Sequence, residues 1–244
     1  MLEASRVTSV SFSRRRLMTL AAGAGLASIA GCADPTVHTP VRMLTATERS
    51  GVMLCRQSWG ARPARAGGRL HTITRMTIHH SAVALPDNRG IVARLQQHQR
   101  YHQDDKGWVD IAYHAAVDRN GNIFALRDTA IAGDTATDYD TTGHFLVLCE
   151  GDFDTEAVTE SQLDGAALVC AWATKQFGIS VDTLASHQQV APGGTDCPGT
   201  SLQAHITSGD LANRITDTIA GGFELRPVCG SEADARVAGI VAGR

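Results

Sequence analysis

The chain has 244 residues, of which 43% are hydrophobic and 19% charged, and its formal net charge is −3. That length suits one domain with appendages, and that balance suits a chain able to bury a core, which excludes a wholly disordered protein. The pI near 6.3 leaves no basic footprint, so nucleic acid is not an expected partner.

Residues 1–32 read as an export signal. Ser13-Arg14-Arg15-Arg16-Leu17-Met18 has the twin-arginine pattern, and the apolar stretch from Leu17 to Ala30 is too short for a typical spanning helix. Ile29-Ala30-Gly31-Cys32 has the form of a bacterial lipobox, in which the cysteine takes a diacylglyceryl group and becomes the first mature residue. The expected location is the cell envelope, with a membrane reached through a lipid anchor on Cys32. Plain secretion, with cleavage near Ala30, is the alternative. Residues 33–54 are expected to be a flexible tether, 55–222 the globular domain and 223–244 a loosely packed tail.

Within the domain, Thr72 to His80 reads as a strand of β-branched and apolar residues. Pro86-Asp87-Asn88 is a turn that can cap a helix running to about Gln103, with Ile91, Leu95, His98 and His102 at helical spacing. Trp108 to Val117 is a second strand, Asp118 to Gly121 a hairpin turn and Asn122 to Arg127 the returning strand. Gly133 to Thr142 is a polar loop, and His144 to Glu150 has the apolar run of a central strand. Thr159-x-x-Gln162 is a capping box opening a helix that Gly178 ends. Leu184-Ala185-Ser186 is a short edge strand leading into His187, and a helix from about Asp210 to Ala220 closes the domain. Strands and helices mix without strict alternation, so the expected fold is α/β, a mixed central sheet flanked by helices.

Export permits disulfides among Cys55, Cys149, Cys170, Cys197 and Cys229. With Cys197 set aside as a ligand, four cysteines allow three pairings. Cys55 and Cys229 lie near the two ends of the domain and could join, while Cys149 and Cys170 read equally as a bridge or as two buried thiols.

Of the ten histidines, His79 and His80 end a strand. Alternation puts Met76, Ile78 and His80 on one face and Arg75, Thr77 and His79 on the other, which favours His79 for a polar cleft. His187 and Cys197 flank a Gly/Pro loop that can fold them together. Imidazole with thiolate suits zinc, and three protein ligands leave a fourth position open, the pattern of a catalytic rather than a structural site. Histidines 71, 98, 102, 144 and 205 read as surface or core residues.

Five blocks in order resemble the peptidoglycan recognition protein / type 2 N-acetylmuramoyl-L-alanine amidase family: Arg56 to Arg62, Thr77 to Ala82, Gln96 to His114, Asp118 to Gly121, and His187 with Thr195 to Gly199. The resemblance runs from about Arg56 to Leu202. It implies a zinc enzyme that cleaves the amide between N-acetylmuramic acid and the L-alanine of the stem peptide in peptidoglycan or muropeptides. It places the zinc ligands on His79, His187 and Cys197, the catalytic tyrosine on Tyr113 and a further catalytic position on Thr195. The His187–Cys197 loop is about two residues longer than in the family pattern, which Gly193-Gly194 could absorb. Where that pattern has a histidine after the third strand, this chain has Asp134 or Thr135. The resemblance leaves a non-catalytic, peptidoglycan-binding lipoprotein as the alternative, since the same fold serves both roles. All three ligand positions and the tyrosine are filled, which favours the enzyme, expected as a monomer.

Overall fold

The computed structural model describes residues 49–244; the twin-arginine segment, Cys32 and the tether up to residue 48 lie outside the described residues. Seven strands form one sheet: β1 (Arg49–Leu54), β2 (Arg75–His80), β3 (Ala115–Val117), β4 (Ile123–Ala125), β5 (His144–Cys149), β6 (Leu184–Ser186) and β7 (Phe223–Val228). Their order is β6-β2-β5-β3-β4-β1-β7, and every neighbouring pair is parallel except the β3–β4 hairpin. The helices are α1 (Ile91–Arg100), α2 (Glu160–Phe177), α3 (His187–Val190), α4 (Thr200–Thr207), α5 (Asp210–Gly221) and α6 (Gly230–Val241). The mixed sheet flanked by helices is the expected α/β architecture.

Central strands β2 and β5 are covered on both sides; β5 is a nearly unbroken apolar run, whereas β2 alternates apolar Met76 and Ile78 with Thr77 and His79, which are buried all the same. Met76, Ile78, Phe145 and Val147 pack beneath Leu163, Ala167, Leu202, Leu211 and Ile215 of α2, α4 and α5. Leu148, Phe124 and Leu54 pack the opposite face against Ile91 and Leu95 of α1 and Ala233 and Val237 of α6. Thr159 caps α2 by accepting from the Gln162 backbone N–H at 3.1 Å. The Gln162 side chain does not reciprocate. It donates instead to the backbone oxygens of Val117 and Glu150, tying α2 to the sheet.

Four expectations are corrected. Residues 49–54 are not tether but a strand paired with both β4 and β7, and residues 223–244 are not a loose tail but β7 and α6. The Cys55–Cys229 disulfide joins the segments that follow β1 and β7. Pro227 weakens a local strand reading of 223–228, yet is tolerated because β7 is the sheet edge. The second strand is only Ala115–Val117; Trp108 to Ala112 is a loop held largely by side-chain hydrogen bonds, and Tyr113 and His114 join it to the strand through backbone bonds to Arg127, Leu126 and Leu146. The first helix ends at Arg100 and opens into a wide π-type turn over Tyr101–Asp105. Cys149 and Cys170 are buried free thiols. No described helix is long and apolar enough to cross a membrane.

Candidate metal centre

Strand β2 delivers His79 to the α1 side of the sheet, as alternation predicts, and β6 delivers His187 at the first position of α3. Ser186 holds that position through a complete capping box with Gln189. Cys197 comes from the loop after α3, closed by Gln188 N–H donating to Cys197 O at 2.8 Å and by a turn from Gly194 N–H to Ala191 O at 3.0 Å. Gly199 is required just beyond: its φ is +82°, and a Cβ there would stand 2.8 Å from the Phe153 backbone.

The donor atoms of His79, His187 and Cys197 all lie within 4.8 Å of one another, so these residues could hold a metal ion. His79 Nδ1 is 3.7 Å from Cys197 Sγ, and the His79 and His187 rings are 4.5 Å apart between centroids. Burial, aided by His187, holds His79 well below the usual histidine range, and burial pulls His187 down to about 4. Burial pushes the Cys197 thiol up to about 12, against the His80 backbone N–H that donates to it. Burial therefore favours the neutral form of all three donors. Both imidazoles are unprotonated as ligands must be, and the thiol loses its proton on binding a cation.

All three line a cleft of about 520 Å³ with Tyr113, Thr195, His98, His102, Trp108 and Thr137. The Tyr113 ring lies 5.1 Å from that of His79, and burial raises its phenol pKa, with Cys197 adding to the effect. Thr195 Oγ1 accepts from the Cys197 N–H at 3.1 Å. Asp134 turns to Arg127, while Thr135 faces His187. The structure thus brings all five expected site residues to one cleft.

Among the described residues, the other histidines have partners of their own. His71 contacts Thr129 O, His144 pairs with Thr77 at 2.7 Å and His205 with Asp210 at 2.7 Å. His98 and His102 reach the cleft, where Glu150 contacts His98 Nε2 and the Ala112 N–H donates to His102 Nδ1. A second cluster, His80 with Asp152 and Asp154, is a poorer cation site. Its His80 Nδ1 accepts from Phe153 N–H, and Asp154 Oδ1 is committed to Thr200 N–H and Oγ1.

Sequence reasoning missed Thr137, 2.6 Å from His187 Nε2, and Tyr139, 3.5 Å from His79 Nε2. Hydroxyls at alternate positions 135, 137 and 139 were the available signal.

Burial also pulls His102 and His114 down to about 3. Below the unfolded value of 6.5, the unfolded chain takes up protons that the folded chain refuses until about pH 3. Stability therefore rises with pH across that window and is lost on acidification. Each fully neutral ring contributes about 1.4 kcal/mol per pH unit below 6.5. The urea midpoint is expected to be clearly lower at pH 5 than at pH 7; a flat midpoint would mean these rings titrate normally.

The model of the family described as N-acetylmuramoyl-L-alanine amidase matches residues 69–200, more than half of the chain. Peptidoglycan-recognition protein LB of Drosophila melanogaster is 30% identical over 183 residues, covering 72% of this chain and 76% of that protein. The human N-acetylmuramoyl-L-alanine amidase is 30% identical over 151 residues, 59% of this chain and 26% of that protein. Among solved structures, a variant of Drosophila PGRP-LB in complex with tracheal cytotoxin superposes with a TM-score of 0.57 at 26% identity, covering 64% of this chain and 93% of that one.

Proposed function

This chain belongs to the N-acetylmuramoyl-L-alanine amidase family, and from that premise we propose that it is a zinc-dependent enzyme hydrolysing the amide between N-acetylmuramic acid and L-alanine in peptidoglycan or its fragments. The observation that carries the reading is the convergence of His79, His187 and Cys197 in one cleft with Tyr113 beside them. Two imidazoles and a thiolate fit zinc, and three protein ligands suit a catalytic rather than a structural ion. The chemistry zinc supplies when bound is polarisation of the scissile carbonyl and a water pKa lowered to roughly 7.

The chain's own residues do the rest. Tyr113 keeps its phenolic proton at neutral pH because burial raises its pKa, so it can donate a hydrogen bond to the carbonyl oxygen as charge develops there. Thr195 accepts from the Cys197 N–H through a lone pair, which leaves its own proton free to donate to the same oxygen. Removing a donor of this kind costs about 3–4 kcal/mol in a comparable case, and an uncharged threonine contributes less than a lysine would. Trp108 and Tyr101 line the same cleft.

The test is digestion of purified peptidoglycan by the full chain, zinc-loaded or chelator-stripped, with mass spectrometry of the soluble products. The expected result is release of peptides with N-terminal L-alanine by the loaded protein only. The stripped protein should stay folded by circular dichroism, as a structural zinc domain would not. Loaded protein that pellets with the wall but frees no peptide would replace the enzyme with the binding-only alternative.

A further inference from the structure

The loop between β4 and β5 presents three hydroxyls to the metal centre. Thr137 Oγ1 lies 2.6 Å from His187 Nε2, and Thr135 Oγ1 lies 2.8 Å from Thr137 Oγ1 while accepting from the Thr137 N–H at 3.1 Å. The Tyr139 hydroxyl is 3.5 Å from His79 Nε2, and its ring stands 5.3 Å from the ring of His187. On the far side of His79, Nδ1 faces Cys197 Sγ. Hydroxyls therefore approach Nε2 of both imidazoles.

A neutral imidazole has one N–H and one lone pair, so the partner of one nitrogen decides what the other offers. Thr137 can accept from a His187 Nε2–H because its own proton has an acceptor in Thr135 Oγ1. That chain of donors leaves the Nδ1 lone pair of His187 free for a cation. We propose that Thr137, supported by Thr135, is a positioning residue that fixes His187 as the Nε2–H tautomer and commits Nδ1 to the metal, with Tyr139 placed to do the same, more weakly, for His79. The proposal rests on the zinc reading above. Outer hydrogen bonds of this type orient ligating histidines and raise their basicity.

The experiment measures zinc affinity by competition with a chromophoric chelator and the absorption spectrum of the cobalt-loaded full chain. Wild type is compared with Thr137→Val, Thr137→Ser and Tyr139→Phe. Valine keeps the shape but not the hydroxyl, and is expected to weaken zinc by about tenfold to hundredfold and to shift the cobalt bands. Serine keeps the hydroxyl and is expected to match wild type in both. Tyr139→Phe is expected to weaken zinc less than valine does, because its contact is at the outer limit of a hydrogen bond. Wild-type affinity and spectrum in Thr137→Val would overturn the proposal, as would a serine variant as weak as the valine one. Wild type that binds neither ion would overturn the zinc reading and this proposal together, whereas the other failures leave wild type loaded.

Discussion

On the amidase reading proposed above, Cys197→Ala is expected to abolish amide hydrolysis while the domain stays folded. The thiol is one of three donors that converge within 4.8 Å, and no other described cysteine reaches the cleft, so two imidazoles alone remain. Losing several kcal/mol of charge stabilisation at the carbonyl corresponds to a rate fall of about a thousandfold or more. The structural loss is smaller: one sulfur and the hydrogen bond from the His80 N–H, about 1–2 kcal/mol. Bound zinc by elemental analysis, peptide release and the urea midpoint, all on one preparation, separate the two effects. A variant that still frees stem peptides at a rate close to wild type would remove Cys197 from the chemistry.

The second large effect is expected at Arg127, which is not itself among the metal donors. Its side chain is 2% exposed, yet it carries a guanidinium. Nε donates to Ile111 O at 2.7 Å, Nη1 to Ala132 O at 2.6 Å, and Nη2 to Asp110 O at 2.9 Å and to Asp134. Its backbone N–H donates to Tyr113 O at 3.0 Å. One planar fork thus fastens the loop that presents Tyr113 to the loop that begins at Ala132. Arg127→Ala would leave three carbonyls without donors and one carboxylate without its cation, at a cost of about 3–5 kcal/mol. Arg127→Lys should recover only part of this, since a point ammonium cannot span three acceptors. The readouts are urea unfolding and kcat, which should fall further than KM changes because Tyr113 loosens. A stability loss under about 1 kcal/mol would mean the fork is dispensable.

What the sequence made legible was local. Alternation along Arg75–His80 was enough to favour His79 as a donor, because it lies on the face opposite the core residues Met76 and Ile78, although His80 also lines the cleft. The Gly/Pro loop between His187 and Cys197 announced a turn that brings its ends together. By contrast, Thr137 and Tyr139 sit in a run of Thr, Asp and Ala with no apolar period, and such a run reads as a spacer. Their partners, His187 and His79, are 50 and 60 positions away. Arg127 looked like the last residue of a strand, since its four side-chain acceptors come from other segments. The pairing of β1 with β7 joins positions 174 apart, and short strands bounded by polar residues carry little signal of their own.

That pairing has a mechanical consequence. β1 runs parallel to β7 on one side and to β4 on the other, with Arg49 beside Phe223 and Leu54 beside Val228. Force applied to the chain ahead of Arg49 acts along β1, so the rungs of both ladders share the load together instead of opening one at a time. The Cys55–Cys229 bond sits at the end of β1 away from the pull. Even if the ladders slip, the sulfur bridge still ties the end of β1 to the start of α6, so β1 cannot be drawn off the sheet edge without the end of β7.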